Sequence, residues 1–227
     1  MMTCIICGSE KFRDSNVLWP ELVEAWNLSD DEVKYIDRQQ GTSCVKCGNN
    51  LRAQALASAI MSVSGRERLF KKFVQKWSSN RLKVLSINTC GTLHGHLSRL
   101  KNHTLAEYPE YDMKDLSLED GSFDLVLHSD SLEHIDDPLQ ALAECYRVLK
   151  LGGYCIYTIP IIVGRMSEAT TGKPPSYHGD PQQLDYDWMV QTEYGSDAWL
   201  QPLKAGFQSC AMHVYEVPSA FALICRK

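Results

Sequence analysis

Four cysteines carry the clearest chemistry in the sequence. Cys4-Ile5-Ile6-Cys7-Gly8 and Cys44-Val45-Lys46-Cys47-Gly48 are two matched Cys-x-x-Cys-Gly knuckles. Two such pairs let four thiolates converge tetrahedrally on one zinc ion, and each glycine permits the turn that aims backbone amides at the sulfurs. A closed site of Cys4, Cys7, Cys44 and Cys47 is structural by expectation. A second group follows the apolar run Phe123 to Leu127: His128, Ser129, Asp130, Glu133 and His134. Histidines and acids placed together there can line a ligand pocket or move a proton. A third group, Tyr177, His178, Asp180, Asp185, Tyr186, Asp187 and Tyr194, crowds a loop-rich stretch after Pro160. These groups could recognise or deprotonate a polar substrate. A solvated loop with a turn centred on Gly179 is the other reading.

The elements that must position these groups are legible in outline. Phe123 to Leu127 fits a strand buried on both faces. Asp136 or Asp137 can cap the helix that follows, Pro138 suits its first turn, and Leu139, Leu142, Tyr146 and Leu149 mark its buried face. Gly152 and Gly153 are expected to stop that helix, with Tyr154 to Ile159 as the next strand. In open α/β sheets a ligand binds outside the carboxyl end of such a strand. Leu82 to Ile87 is an earlier strand, feeding the small-residue loop Asn88-Thr89-Cys90-Gly91-Thr92, where a backbone could approach a cofactor. His103 to Glu107 is a short strand ending in an acid about twenty residues past that loop, the usual place of a carboxylate gripping a ribose diol. Asp112 could accept from an adenine amino group with Met113 against the ring; a turn aspartate is the alternative. Phe207 to Tyr215 and Ala220 to Cys225 read as an antiparallel pair closing one edge of the sheet.

Residues 1–50 read as a separate zinc-binding module, and residues 51–227 as an α/β domain. Between the knuckles, Trp19 to Trp26 suggests a short helix, and Ser29 with Glu32 has capping-box spacing for a second. Asn50 to Met61 and Arg66 to Trp77 read as two further helices. From Arg52 to Lys83 there are eight basic residues and one acid. They fit a solvated helix face whose Phe70, Phe73 and Trp77 enter the core, or else a patch for an anion or RNA. A formal charge of −5 gives no global pull toward nucleic acid, and the module has more acids than bases. No apolar run approaches a membrane span, and no signal-peptide core is present. Nine cysteines, an odd number, then point to a reducing compartment, the cytoplasm, without a disulfide framework.

Phe123-Asp124-Leu125-Val126-Leu127-His128-Ser129, Leu132-Glu133-His134-Ile135 and Arg147-Val148-Leu149-Lys150-Leu151-Gly152-Gly153 together resemble the class I S-adenosylmethionine-dependent methyltransferases of the type 11 family. The resemblance runs over roughly residues 82–160. It implies a Rossmann-like sheet of seven strands, mostly parallel with one antiparallel, and an S-adenosylmethionine site. Ser86 through Thr92, including Asn88 and Gly91, would form the cofactor loop. Glu107 would hold the ribose, Asp112 and Met113 the adenine, and His128 and Ser129 would lie near the methionine end. The sequence departs from the family in having Ser86 where an acid is usual and few glycines around it. The implied function is methyl transfer to a small molecule or sugar-like metabolite, with His128 and His178 as candidate proton acceptors. An RNA or protein methyltransferase docking through the zinc module or the 52–83 stretch, or a non-catalytic scaffold, are the alternatives.

Overall fold

The computed structural model describes residues 2–64, 68–77, 82–173, 175–177 and 186–227. The chain opens with the first knuckle and β1 (Phe12–Arg13), then α1 (Pro20–Ala25), α2 (Asp30–Gly41) and β2 (Ser43–Cys44), which pairs with β1. α2 starts as its sequence requires: Ser29 and Glu32 form a reciprocal capping box. Next come α3 (Leu51–Ser64) and α4 (Phe70–Trp77), then β3 (Val84–Ile87), α5 (His94–Leu97), β4 (His103–Ala106) and β5 (Phe123–Ser129). α6 (Pro138–Val148) is capped by the Asp137 side chain, with Pro138 in its first turn. β6 (Leu149–Thr158) follows without a break, so the glycine pair lies inside a strand instead of ending a helix. Gly153 has no room for a side chain there: a Cβ would come within 3.0 Å of the Asp124 carbonyl. The last elements are β7 (Ile161–Ile162), β8 (Glu168–Ala169), β9 (Thr192–Gly195), α7 (Leu200–Lys204), β10 (Ser209–Glu216) and β11 (Ala220–Arg226).

The main sheet has the order β10-β11-β6-β5-β3-β4. β4, β3, β5 and β6 are parallel neighbours, and β11 runs antiparallel to both β6 and β10. Among the described residues the sheet therefore has six strands instead of the expected seven, with the expected single reversed strand. The edge beyond β4 ends early because residues 107–122 form turns and an isolated Asp112–Asp115 bridge, too short a stretch for a crossover helix and another strand. β3 leads outward to β4, and the chain then returns past it to β5. The carboxyl ends of β3 and β5 thus flank the point where the strand order reverses, which is where ligands enter such sheets.

One face of the sheet packs under α6 and α7, through Val126, Cys155, Leu142 and Phe207. The other face is covered by α3, α4 and α5 and by the first knuckle. Cys4, Ile6 and Cys44 share a core with Ile60, Phe70, Leu93 and Leu127. The Ile5 and Ile6 carbonyls accept the first two amides of α4, from Phe70 and Lys71, at 2.9 and 3.2 Å. Those amides have no partner within the helix, so the knuckle caps it. Phe70, Phe73 and Trp77 are buried as the amphipathic reading expects.

The stretch after Pro160 holds a small sheet, β7-β9-β8, where the sequence suggested only a loop. The insertion between the knuckles grips it. Arg165 makes two 2.8 Å bonds to the Glu32 carboxylate and donates to the Trp26 and Asn27 carbonyls. The Arg165 guanidinium holds the Glu32 carboxyl down at about 2. The Tyr35 hydroxyl accepts from the Val163 amide, and the Trp26 indole donates to Ser176.

Candidate functional site

The thiol sulfurs of Cys4, Cys7, Cys44 and Cys47 all lie within 4.8 Å of one another. Cys4 to Cys47 and Cys7 to Cys44 are each 3.6 Å. Metal–sulfur bonds of about 2.3 Å in a tetrahedron separate sulfurs by about 3.8 Å, far from a disulfide. The cluster therefore has the dimensions of a four-thiolate metal site. Both knuckles are built alike. Gly8 and Gly48 have φ of +80° and +72°, and each donates its amide to the first cysteine's carbonyl at 2.8 Å. Burial pushes the Cys4 thiol up, opposed by amides of Cys7 and Ile6. At Cys44 burial acts in the same direction, yet amides of Cys47 and Lys46 and the neighbouring thiols bring it down to about 7.

A cavity of about 460 Å³ opens at the reversal point of the sheet. Asn88 and Tyr108 line it at β3 and β4, Asp112 and Met113 on the turns beyond, and Ser129 and Asp130 at the end of β5. Asn88 has the left-handed backbone that a glycine would otherwise supply, φ +56°, and its side-chain oxygen accepts from the Tyr108 amide at 3.0 Å. Asparagine tolerates this conformation better than most residues. Lys114 and Asp136, paired at 2.8 Å, close one side. The Ser129 hydroxyl meets Thr158 at 2.8 Å.

Of the residues expected at the cofactor, the structure brings Asn88, Asp112, Met113 and Ser129 to this cavity. Four others are placed elsewhere. Ser86 is fully buried and turned to the opposite side, with its hydroxyl 2.9 Å from His103 Nε2. Gly91 begins a 3-10 turn away from the lining, with nothing within 4 Å of a Cβ there. Glu107 stands exposed at the end of β4, beside Asn88 and Tyr108 but outside the lining. His128 is corrected as a proton acceptor. Its position in β5 turns it under α6, where it is 0% exposed and stacks on the Tyr157 ring at 4.3 Å. Burial drops its pKa to about 3, so it is neutral and out of reach of solvent at ordinary pH. His178, Asp180 and Asp185 lie outside the described residues.

A second cavity of about 500 Å³ adjoins the first, and Asp130, His134 and Trp188 line both. Trp19 and Leu22 of the α1 region and Ile36 and Gln39 of α2 form its roof. Arg52 on α3 reaches its floor and pairs with Asp130. Burial lowers Arg52 to about 10, opposed by Glu133, so it remains a cation at neutral pH. Glu133 is 1% exposed, and burial pushes its carboxyl up, opposed by His134 and Arg52. The ring nitrogen Nδ1 of His134 lies 3.1 Å from the Met189 carbonyl and so carries the hydrogen in that bond. Arg52 and the tryptophans were not singled out from sequence. Arg52 was one of eight charges in a basic run, and a tryptophan at helical spacing reads as core.

Residues 64–157 match the methyltransferase domain family. Over those 94 of its 227 residues the chain is similar to that methyltransferase domain. The match covers β3 through most of β6, the part of the sheet that frames the first cavity. A Mycolicibacterium smegmatis protein described as a probable S-adenosylmethionine-dependent methyltransferase is 36% identical over 63 residues, 26% of this chain and 24% of that one. The chain thus spans about a quarter of that relative's length. Among solved structures, an S-adenosylmethionine-dependent methyltransferase of Thermotoga maritima is 18% identical, covering 78% of this chain and 89% of that one, with a TM-score of 0.44. One from Methanosarcina mazei is 13% identical, covering 68% and 96%, with a TM-score of 0.43.

Proposed function

We propose that this protein transfers a methyl group from S-adenosylmethionine, held in the cavity between β3 and β5, to a small molecule held in the adjoining cavity. The observation that carries this reading is the shared wall: Asp130, His134 and Trp188 line both spaces. Both volumes fall within the range of about 300–1,000 Å³ for small-molecule sites. In this reading Asn88 and Tyr108 hold the ribose, with Glu107 reaching in from the rim. Asp112, Met113 and Ile135 hold the adenine, and Ser129 and Asp130 flank the methionine end. When bound, the cofactor would supply a methyl group made electrophilic by its sulfonium, with a neutral thioether as the leaving group. The chain's own contribution is orientation and exclusion of water, for which the roof over the second cavity is suited.

Zinc is the metal we assign to Cys4, Cys7, Cys44 and Cys47, in a structural role, because the four-thiolate set leaves no open position. Residues 1–50 act as a module that carries the roof. Within the 52–83 stretch Arg52 is engaged with Asp130, and the Lys71 amine with the Cys7 carbonyl at 3.2 Å, so these two of its basic side chains serve the fold. No helix among the described residues is long and apolar enough to cross a membrane. Calorimetry on the zinc-containing protein tests the cofactor assignment. S-adenosylhomocysteine is expected to bind, and absence of heat at saturating ligand would refute it. Asp112→Ala should weaken binding by about tenfold while leaving zinc content unchanged.

A further inference from the structure

Asn49 follows the glycine of the second knuckle and is 1% exposed. Its backbone carbonyl accepts the Cys44 amide at 3.0 Å, and its side-chain Nδ2 donates to the Cys47 carbonyl at 3.2 Å. Both cysteines of that knuckle are therefore tied to this one residue. Its Oδ1 leaves the knuckle and accepts from the Thr92 hydroxyl at 2.7 Å, 43 positions along the chain. Thr92 belongs to the loop after β3. Asn88 and Thr89, at the start of that loop, line the first cavity. Asn88 is fixed there from the side of β4: its amide donates to the Ala106 carbonyl at 2.8 Å, and its side chain accepts from Tyr108. Beyond Thr89 the loop turns to the other layer. Cys90 and Leu93 are buried in the core that holds Cys4 and Cys44, and the Leu93 amide closes a turn on the Cys90 carbonyl at 3.2 Å. The loop is thus held at its start by β4 and at its end by the second knuckle.

We infer that Asn49 and Thr92 are positioning residues through which the second knuckle sets the cofactor loop, so that metal binding at the four cysteines and cofactor binding at Asn88 and Thr89 favour one another. The inference rests on the methyl-transfer reading for the identity of the cofactor and on the zinc assignment for that of the metal. With Cys44 and Cys47 fixed by a metal, the Asn49 carbonyl and Nδ2 are fixed with them, and Oδ1 is presented to Thr92 in one place. A buried amide oxygen that loses its donor carries a desolvation cost, so the loop is drawn to the position that satisfies it. Coupling between two binding sites is reciprocal: the factor by which the metal tightens the cofactor is the factor by which the cofactor tightens the metal. One hydrogen bond of ordinary strength sets the scale of that factor at about fivefold.

The test compares the zinc-containing full chain with Thr92→Val, which keeps the shape and loses the hydroxyl, and Thr92→Ser, which keeps the hydroxyl. Thr92 is exposed, so both variants are expected to fold and to retain their zinc. By calorimetry Thr92→Val should bind S-adenosylhomocysteine about fivefold more weakly, and Thr92→Ser should stay within about twofold of the unmodified protein. In competition with a chromophoric chelator, saturating S-adenosylhomocysteine should tighten zinc about fivefold in the unmodified protein and leave it unchanged in Thr92→Val. Without ligand, amide hydrogen exchange over residues 89–93 should be faster in Thr92→Val than in Thr92→Ser. Unchanged cofactor affinity in Thr92→Val, an equal loss in Thr92→Ser, zinc affinity indifferent to the ligand, or loss of zinc from Thr92→Val would each overturn the inference. If the unmodified protein bound no S-adenosylhomocysteine, the methyl-transfer reading would fall instead. The exchange measurement would then decide by itself whether the knuckle holds the loop, equal rates in the two variants overturning it.

Discussion

Two groups of metal-capable side chains lie in this molecule, and they are not alike. Cys4, Cys7, Cys44 and Cys47 are one; His128, Cys145 and Cys155 are the other, and in each the donor atoms lie within 4.8 Å of one another. In the first, two glycines with positive φ fold the backbone so that amides face the sulfurs, and four donors converge. In the second, the donors come from β5, α6 and β6 and are buried among apolar neighbours. Burial pushes Cys155 well up, and the thiols of Cys145, Cys225 and Cys210 push it further. The His128 ring is neutral and stacked on Tyr157. Beyond proximity, the first group has backbone amides aimed at its sulfurs, which suits it to a metal, and the core group has side chains arranged for volume.

The largest expected effect comes from attacking the first group. Cys44→Ser, or a chelator on the unmodified protein, should cost on the order of 5 kcal/mol and release one equivalent of zinc. Thermal unfolding together with metal emission would show it. Cys155→Ala should cost about 1–2 kcal/mol and release none, and zinc lost from this variant would erase the distinction. After chelation, alkylation followed by mass mapping should find Cys7 and Cys47 modified first. Cys155 and Cys225, fully buried with raised pKa values, should react only on unfolding.

His128→Ala should destabilise by about 3 kcal/mol through the cavity it leaves, while changing S-adenosylhomocysteine affinity by less than about threefold. A collapse of cofactor affinity without loss of stability would restore His128 to the site. The same residue predicts a pH dependence. Its folded pKa is near 3, below the ordinary value of 6.5, so the unfolded chain takes up the proton first. Its contribution to stability is complete above pH 6.5 and falls by up to about 1.4 kcal/mol per pH unit as the pH drops toward 3. Denaturant midpoints of His128→Phe should show a flatter acid limb than the unmodified protein. The smallest effect is Gly48→Ala, about 1 kcal/mol, from placing a side chain at φ +72°. A Cβ there meets only the Thr92 methyl at 3.8 Å, so conformation and not crowding sets the cost.

The knuckles were legible because all their information is local: spacing, and a glycine at each turn. The same holds for the caps at Ser29 and Asp137 and for the pairing of β10 with β11. Asn88, Asp112, Met113 and Ser129 were singled out from sequence and line the first cavity, since each lies at a strand end or on the turn beyond it. Ser86 and His128 were misjudged for one reason. Side chains alternate across a strand, so a residue next to a site in sequence can face the opposite layer. The six-strand sheet was missed because no local pattern records that residues 107–122 are spent on turns.

By itself the sequence pointed to the four cysteines whose sulfurs converge, to the strand–helix–strand unit around Phe123 to Thr158, and to the likeness of that unit to a methyltransferase domain. These depend on short-range spacing and on periodicity. Only the tertiary structure decided which residues share a cavity. It set Trp19 and Arg52 against Trp188 and Asp130, and joined Glu32 to Arg165, 133 positions away. Such meetings come from chain topology and layer packing, and no repeat in the sequence encodes them.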